Sequence, residues 1–413
     1  MPERIAALSP PWLQRPAVRA LFEAFPDDRL RFVGGCVRDS WLGDSVSDFD
    51  AATPLEPSQV TETLEARGWR AIPLSLAHGT ILALPPEGLL EEDAGAGVKV
   101  EITTLRRDTV PDGRHAQVDF VTGYAEDAAR RDFTINALYL DAEGRLYDYF
   151  TGLDDLAAGR LRFIGDPQQR LAEDWLRALR FIRFFARFGT RVPDAETFAA
   201  LEASGGQLAR LSVERIASEF ERLLSRPRAE KGLEVAQALG FLSRLDAAPW
   251  QLASFERWQK RYWAQKAQQE IDAELMPFVA ALWALKGGVE RDPDGQQTRA
   301  LLRRWKRSGA EQNALTAAIN ARQLPLHEAL YRQGVAATQT ALLLSPSWDP
   351  EAWQSSLDWQ RPRFPLRAAD LQARGFSGVA LGQKLKQLEA QWVASQFTLS
   401  RSTLLDTAGR EEP

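Results

Sequence analysis

The chain has 413 residues, of which 45% are hydrophobic and 26% are charged, and this composition is typical of a globular protein with more than one domain. No apolar run approaches the roughly 20 residues that cross a bilayer, and the start lacks the basic and apolar regions of a secretory signal. The single cysteine, Cys36, excludes an intramolecular disulfide and argues against an ordinary zinc cluster. The net charge of −5 excludes a protein that coats nucleic acid indiscriminately, although it allows a local basic face. We therefore expect a cytoplasmic protein.

The first third of the chain alternates strand-like and helix-like segments. A helix is predicted over Pro57–Arg67, and Leu89–Gly97 is typical of a surface loop. Short apolar or alternating runs predict strands at Leu30–Val33, Ser47–Ala51, Thr80–Leu84 and Val98–Leu105. These elements favour an α/β head with a small mixed sheet.

After about residue 150 the strand signals fade and helical patterns take over. Apolar residues at helical spacing predict a helix over Val213–Leu224, ended by Pro227, and a second helix over Arg228–Leu239, closed by Gly240. We expect four parts: an N-terminal helical segment at 1–28, the α/β head at 29–150, an all-α neck at 151–226, and a helical body and tail at 227–413.

The segment RFVGGCVRDSWLGDSVSDFDAAT, residues 31–53, carries the strongest chemical signal. Its first strand runs into Gly34 and Gly35, and a helix begins near Val37. Paired glycines let the backbone approach a triphosphate closely, and the helix start offers free N–H groups. Arg38 would add a fixed positive fork for a phosphate.

The second strand of this segment carries Asp48 and Asp50, with Phe49 between them. Alternate residues of a strand point to the same face, so the two carboxylates converge while Phe49 faces the core. Such a pair suits Mg²⁺, which binds one or two carboxylates together with phosphate oxygens and water. A D-x-D pair without this context is usually a solvated part of a strand, and the preceding G-G-x-x-R-D favours the metal site.

With these motifs the sequence resembles the nucleotidyltransferase superfamily, specifically the bacterial-type (class II) CCA-adding enzymes and their poly(A) polymerase relatives. The resemblance runs from about residue 30 to residue 225, with a weaker echo near the C-terminus. It implies that Asp48 and Asp50 are metal ligands and that Gly35 and Arg38 contact the nucleotide. It also implies a third catalytic carboxylate, for which Glu101 in VKVEITTLRRD is the candidate. The alternative for Glu101 is an exposed strand residue.

A second block, ARRDFTINALYL at residues 129–140, resembles the conserved RRDFTINAL segment of that family. The resemblance implies that Arg131 contacts phosphate and that Asp132 and Asn136 bracket a ribose hydroxyl. A spacing of four residues would place these last two on one helix face. Without the family, the block would be an ordinary helix cap.

The third block, EDWLRALRFIR at residues 173–183, would form a polar helical ridge with Asp174, Arg177, Arg180 and Arg183. In the resembling family, E-D-x-x-R acts as a protein template for the incoming base. Cytosine and adenine both present an amine donor beside a ring-nitrogen acceptor, so a carboxylate and an arginine match both. Uracil and guanine invert both contacts. The alternative is a salt-bridged surface ridge.

The sequence departs from the family pattern at two places, one within the third block and one after the second block. Trp175 stands where proline is frequent, and DYFTGL at residues 148–153 replaces the usual D-P-F-G-G-L. Neither touches an expected contact residue. Two later segments, LLRRWKRS and GFSGVALGQKLK, could bind tRNA phosphates, although basic helix faces are usually only solvated. Their candidate residues are Arg303, Arg304, Lys306, Arg307, Lys384 and Lys386.

The expected activity is template-independent addition of CMP, CMP and AMP to the 3′ end of tRNA from CTP and ATP, with Mg²⁺ and release of pyrophosphate. The loop Arg106–Asp119 looks complete, which favours full CCA addition, since family members that stop at CC lack an intact loop here. Within the same class, the alternatives are a bacterial poly(A) polymerase or a partial CC- or A-adding enzyme. The alternative from another class is a non-catalytic RNA-binding protein on the same scaffold.

Overall fold

A computed structural model of the protein describes residues 4–75, 78–92, 98–108 and 118–409. The chain divides into two compact units, Met1–Gly206 and Gln207–Pro413. The finer division at residues 150 and 226 remains a prediction.

The first unit contains all the named strands of the described residues. They are β1 (Arg4–Ala7), β2 (Arg31–Val33), β3 (Phe49–Thr53), β4 (Arg70–Ser75), β5 (Thr80–Leu84), β6 (Val100–Thr104), β7 (Arg106–Asp108), β8 (Val118–Phe120), β9 (Leu138–Leu140) and β10 (Arg145–Asp148). Eight of them form one sheet in the order β1-β10-β9-β2-β3-β6-β5-β4, and β7 pairs with β8 alone. Only the β3–β6 pair is parallel within the described sheet, so the mixed sheet of the α/β head is confirmed.

The helices of the first unit cover the sheet and continue beyond it. They are α1 (Pro16–Ala24), α2 (Gly35–Trp41), α3 (Pro57–Glu65), α4 (Glu87–Glu92), α5 (Tyr124–Ala129), α6 (Gly152–Ala158), α7 (Pro167–Glu173), α8 (Leu176–Phe188) and α9 (Ala195–Ser204). Short 3-10 helices lie at Pro11–Gln14, Thr134–Asn136 and Gly205–Arg210.

One aromatic cluster ties the start of the chain to the two central strands. Trp12 packs edge-on against Phe32 and Phe49 with ring centroids 4.9 and 5.2 Å apart. Both phenylalanines are buried in the core, as expected for Phe49. Because Phe49 is anchored in the core, its neighbours Asp48 and Asp50 are turned to the opposite, exposed face.

Three local predictions were wrong. The RRDFTINAL block is not a regular helix: Phe133 is extended, a 3-10 helix of three residues follows, and β9 then begins. Ladder bonding of β9 to β2 and β10 overrides the helical propensity of the block. Of the loop predicted at Leu89–Gly97, residues 89–92 belong to helix α4, and residues 93–97 lie outside the described residues. Residues 4–7 add an edge strand to the N-terminal segment that we expected to be helical.

The turn after β10 contains a strained residue at one of the departures from the family pattern. Thr151 has φ +61° and ψ 32°, a left-handed conformation that β-branched residues rarely adopt. Its hydroxyl donates to the Phe150 carbonyl at 2.6 Å and accepts from Arg162 at 2.8 Å. A glycine would adopt this conformation without strain. Here the two hydrogen bonds of the Thr151 hydroxyl stabilise the turn instead.

The second unit is helical throughout its described residues. Its helices are α10 (Val213–Leu224), α11 (Ala229–Ala238), α12 (Phe241–Leu245), α13 (Leu252–Ala267), α14 (Pro277–Leu285), α15 (Gly288–Arg291), α16 (Gln296–Arg304), α17 (Gly309–Arg322), α18 (Leu326–Gln333), α19 (Val335–Leu344), α20 (Pro350–Leu357), α21 (Ala368–Gln372), α22 (Gly378–Ala394) and α23 (Arg401–Ala408). Val213–Leu224 matches its predicted bounds. Across the part of the chain that the structure describes, no helix has the length and apolar character to cross a membrane.

Candidate active site

The turn between β2 and α2 depends on Gly34. Its φ of +77° with ψ −122° is open to glycine and strained for any other residue. The Gly34 N–H donates to the Leu138 carbonyl at 3.0 Å, and the Gly34 carbonyl accepts the first hydrogen bond of α2 from the Arg38 N–H. The glycine thus joins β2, β9 and α2 at one point, at the predicted triphosphate loop.

Arg38 is more buried than its predicted role as a phosphate fork suggested. Its side chain is only 5% exposed, and its guanidinium donates to Asp39 at 2.8 Å and to the side-chain oxygen of Asn136. The Phe188 ring centroid lies 4.6 Å away. Burial lowers the pKa of Arg38, which Asp39 partly offsets. In this arrangement Arg38 fixes the position of Asn136 as well as lying behind the glycine turn.

The carboxylates of the D-x-D motif lie beside Glu101. Asp50 on β3 stands in register with Glu101 on the parallel strand β6, and Asp48 immediately precedes β3. All three residues are exposed. Desolvation nevertheless raises the pKa of Asp50; Arg131 opposes the rise, and the charges of Glu101 and Asp48 add to it. Asp50 is thus accessible to water, while enough protein atoms surround its carboxylate to disfavour the charged form.

This donor set fits a hard divalent cation. Repulsion among Asp48, Asp50 and Glu101 disfavours the charged form of Asp50, and a bound cation would relieve it. Among the described residues, no three His, Cys, Asp or Glu side chains converge closely enough to complete a metal site alone. Two carboxylates supplemented by phosphate oxygens and water match the coordination that Mg²⁺ commonly accepts. Glu101 remains a predicted third ligand.

The RRD segment brings Asp132 and Asn136 together although it is not a helix. The Asn136 amide donates to Asp132 at 3.0 Å, and the Phe133 N–H donates to the same carboxylate oxygen at 2.8 Å. The other oxygen of Asp132 accepts from Arg180 at 2.6 and 2.8 Å. Burial alone would raise the pKa of Asp132, but Arg180 and Asn136 outweigh it and lower the pKa.

Arg131 is held from the side away from the glycine turn. Its guanidinium donates to the Tyr139 hydroxyl and to Asp127, both at 3.1 Å. A Cβ at Gly34 would lie 3.5 Å from the Arg131 guanidinium, so this side chain borders the turn. Its positive charge also lowers the pKa of Asp50, which places Arg131 near the D-x-D carboxylates.

Asp174 does not share a helix with Arg177, and that prediction was wrong. Helix α7 ends at Glu173 and α8 begins at Leu176, so Asp174 lies in the break between them. The Asp174 carboxylate accepts from the Leu176 N–H at 3.0 Å, because the first N–H groups of a helix have no partner within it. Arg177 in the first turn of α8 donates to Glu173 at 2.5 Å and to the Arg170 carbonyl at 2.8 Å.

The remaining arginines of the predicted ridge do lie along α8. Arg180 reaches Asp132, and the Arg183 guanidinium lies 4.2 Å from the Phe184 ring centroid. The buried residues of α8 are all apolar. They are Leu176, Ala178, Leu179, Phe181, Ile182, Phe184, Phe185 and Ala186.

Two buried residues that support the site were missed by the sequence analysis. Asp127 is fully buried and accepts from Arg130, Arg131 and the Tyr139 hydroxyl. Arg170 is 7% exposed and donates to the Arg130 and Arg131 carbonyls and to Glu173. The D-x-x-R-R spacing that begins at Asp127 was a sequence signal for its role. Arg170 has no such signal, because the partners that link it to the site are backbone carbonyls about 40 residues earlier in the chain.

The basic segment of the second unit is largely neutralised within its own unit. Arg303 is exposed and its guanidinium lies 3.4 Å from Gln312, while its three basic neighbours make ion pairs. The pairs are Arg304–Asp246 at 3.2 Å, Lys306–Glu214 at 2.5 Å and Arg307–Glu221 at 2.9 Å. Lys384 lies 5.8 Å from the Phe376 ring centroid and Lys386 is exposed. Their tRNA contacts remain predictions, as does the loop after β7, whose residues 109–117 lie outside the described residues.

Two family models match the chain. Residues 30–162 match the poly A polymerase head domain, and residues 193–246 match the probable RNA and SrmB-binding site of polymerase A. The first match spans the glycine turn, the D-x-D strand and the RRD segment.

Curated relatives match nearly the full length. The Homo sapiens protein named CCA tRNA nucleotidyltransferase 1, mitochondrial, is 32% identical, with 94% of this chain and 88% of the relative covered. The CCA-adding enzyme of Lacticaseibacillus paracasei is 32% identical, with 91% of each chain covered. The crystal structure of the Bacillus stearothermophilus CCA-adding enzyme in complex with CTP superimposes with a TM-score of 0.73 at 23% identity over 97% of both chains, which shows the fold alone. By its relatives over most of its length, the chain belongs to the family of CCA tRNA nucleotidyltransferases, the CCA-adding enzymes.

Proposed function

We propose that the protein is a template-independent tRNA nucleotidyltransferase that adds or repairs the 3′-terminal CCA of tRNA from CTP and ATP and releases pyrophosphate. The observation that carries this function is the match, over more than nine-tenths of the chain, to relatives named for CCA addition. A solved structure of the same fold is titled as the Thermotoga maritima CCA-adding enzyme complexed with tRNA. The family model named for poly(A) polymerase covers the head only.

The site supports phosphoryl transfer from a nucleoside triphosphate. Gly34 opens the backbone turn to a phosphate chain, and Arg131 lies beside it as a positive charge. Asp48 and Asp50 supply the hard oxygen ligands, which makes the protein dependent on a divalent metal, and Mg²⁺ is our proposal for that metal. When bound, such a cation neutralises phosphate charge and favours attack by the tRNA 3′ hydroxyl. Most of the remaining rate enhancement comes from the positioning of the two substrates by the chain's own residues.

Base selection is proposed for the start of α8. The Asp174 carboxylate can accept from the exocyclic amine of cytosine or adenine, and Arg177 can donate to the neighbouring ring nitrogen. Support comes from the placement of both groups within three residues at a helix start, with Arg177 held by Glu173 and Arg170. An arginine already held by two acceptors loses little freedom when a base binds.

The test is nucleotide addition by the purified protein to tRNA transcripts that end before the CCA, after C and after CC. Each transcript is incubated with Mg²⁺ and one labelled triphosphate at a time. CTP should label the first two transcripts and ATP the third, with UTP and GTP poorly used. EDTA should abolish labelling, and Mg²⁺ added back should restore it more fully than Ca²⁺.

The same assay separates the alternatives. Equal extension of an oligo(A) primer and of tRNA would favour a poly(A) polymerase, and labelling limited to CC or to A would favour a partial enzyme. Binding of tRNA with no addition under any metal would favour a non-catalytic RNA-binding protein. Asp50→Ala serves as the inactive control.

We also propose the cytoplasm as the site of action, since the one cysteine, Cys36, is buried and free. The Homo sapiens relative is named mitochondrial, so the mitochondrion is the alternative compartment in a cell that has mitochondria. Cell fractionation followed by immunodetection distinguishes the two.

A further inference from the structure

We propose that Arg187 is a positioning residue for nucleotide selection, because it fastens the last turn of α8 both to α2 and to the loop that leads into the D-x-D strand. The inference rests on the proposed function, since it assigns a role in that same reaction. Arg187 lies outside the predicted nucleotide-binding set, whose ridge on α8 ends at Arg183.

The contacts of Arg187 join α8 to two parts of the head. One guanidinium nitrogen lies 3.1 Å from Asp39 on α2, and the other lies 2.9 Å from Asp44 in the loop after α2. Asp39 also accepts from Arg38 through its other oxygen at 2.8 Å. The Arg187 side chain is 24% exposed, Asp39 is 17% exposed and Asp44 is 52% exposed. The Asp39 arm is therefore the better shielded one, and the Asp44 arm is more screened by solvent.

Arg187 and Arg180 together fix α8 at two points. They are seven residues apart, which is two helical turns or about 10 Å, and they share one face of the helix. Arg180 holds the Asp132 end and Arg187 holds the Asp39 end. A single attachment leaves a helix free to pivot, whereas two on one face fix its rotation and its position along the axis. Arg177, one turn before Arg180, then has a set distance from the glycine turn.

The loop arm links base reading to the carboxylates. Asp44 lies in the segment that connects α2 to β3, four residues before Asp48. Through Arg187, the helix that carries the proposed base reader and the segment that carries a proposed metal ligand are held to each other. A nucleotide whose base is read correctly then has its α-phosphate over the carboxylates, and a small misplacement lowers the rate.

Four variants test this role: Arg187→Ala, Arg187→Lys, Asp44→Ala, and the matched control Arg191→Ala, an exposed arginine with no ion pair to any residue the structure describes. We measure kcat and KM for all four triphosphates on tRNA lacking CCA, together with the melting temperature. Arg187→Ala should lower kcat for CTP and ATP about tenfold, which corresponds to ~1.4 kcal/mol. The values for UTP and GTP should change less than about twofold, because these bases are not aligned in the wild type.

Compared with Arg187→Ala, Arg187→Lys should have the melting temperature of the wild type but only part of its selectivity. The reason is that one ammonium group replaces the two nitrogens of the guanidinium fork. Asp44→Ala should give a smaller loss. A fifth variant, which combines Asp44→Ala with Arg187→Ala, should lose no more than Arg187→Ala alone. Proportional losses for all four nucleotides, with a lowered melting temperature, would show a purely structural ion pair and overturn the inference. Unchanged kinetics in Arg187→Ala would overturn it as well. Failure of the wild type to add any nucleotide would instead count against the proposed function.

Discussion

The guanidinium of Arg180 on α8 makes two contacts, of 2.6 and 2.8 Å, with one carboxylate oxygen of Asp132, which lies 48 residues earlier in the chain. The other Asp132 oxygen holds the Asn136 amide, and Asn136 in turn accepts from Arg38. A continuous line of polar contacts thus joins the helix after the glycine turn to the helix proposed to read the base. Four of the predicted nucleotide-binding residues, drawn from three separate motifs, thus form one connected network: Arg38, Asn136, Asp132 and Arg180.

The D-x-D pair should be required for chemistry and dispensable for tRNA binding. Asp48→Ala or Asp50→Ala removes a ligand of the divalent cation, with a loss of several kcal/mol of transition-state stabilisation, or at least about a thousandfold in rate. Single-turnover addition and filter binding of tRNA measure the two properties. Asp294→Ala, an exposed aspartate in the second unit, is the control. Substantial turnover in both variants would refute the assignment, and near-normal Glu101→Ala would return Glu101 to a strand residue.

Asp174→Ala and Arg177→Ala should relax selectivity rather than slow every nucleotide equally. Each side chain would contribute one charged hydrogen bond to C and A, worth about 1.5–3 kcal/mol, or roughly ten- to a hundredfold in kcat/KM. UTP and GTP, which lack the matching groups, should be little changed. The measurement is kcat/KM for the four triphosphates. If the CTP:UTP and ATP:GTP ratios stay at wild-type values, this helix start does not read the base.

Gly34→Ala should damage both stability and nucleotide binding. The left-handed φ of +77° imposes a strain of about 1–3 kcal/mol on any side chain, and relief of that strain would move the turn that borders Arg131. Gly43→Ala is a matched control, because Gly43 also has φ +77° but has no atom within 4 Å of an added Cβ. Both variants should melt at lower temperature, and only Gly34→Ala should raise the KM for CTP. A KM that rises equally in both would point to strain alone.

Shortening the segment between β7 and β8 should affect the last addition selectively. The loop Arg106–Asp119 contains Pro111, Asp112 and Gly113 among alternating charges, and the resembling enzymes that stop at CC lack an intact loop there. A variant without four of its residues should still extend tRNA by CC while losing most of the final A. Product lengths resolved on a sequencing gel report this directly. Equal loss of C and A addition would contradict a special role for the loop.

Acid should unfold the head in part through Asp127. Burial alone would raise the pKa of Asp127, but Arg131, Arg130 and the Tyr139 hydroxyl lower it overall. A lowered folded-state pKa contributes stability above the unfolded value of about 4, and that stability is lost as the pH falls through the folded value. Asp127→Asn should cost about 3–5 kcal/mol at neutral pH. Urea unfolding should show the gap to wild type closing below about pH 4; a gap independent of pH would exclude the charge as its cause.

Elements with strong local signals were predictable from the sequence. Strand Thr80–Leu84 and helix Val213–Leu224 have their expected bounds, because alternation and helical spacing coincide there with Pro and polar ends. The D-x-D strand was placed within two residues. The core role of Phe49 followed from the same alternation.

Features set by long-range pairing were not predictable in this way. Strand β9 is three residues long within a segment of helical character, and only its ladders to β2 and β10 make it extended. The break at Asp174 was hidden because the sequence keeps a helical pattern across it. Arg187 carries no motif, and its partners Asp39 and Asp44 lie more than 140 residues away.

The parallel pairing of β3 with β6 has a consequence for the folding of the chain. Asp50 and Glu101 become neighbours only when these two strands pair, and a parallel pair needs a long crossover connection. Here the connection contains α3, β4, β5 and α4. Contacts of such sequence separation form late, because the chain entropy of closing the connection must be overcome first. The group of Asp48, Asp50 and Glu101 should therefore be among the last features of the head to assemble. Recovery of activity after dilution from denaturant should lag behind recovery of helical circular dichroism, so a newly made chain acquires its secondary structure before it can react with a nucleotide.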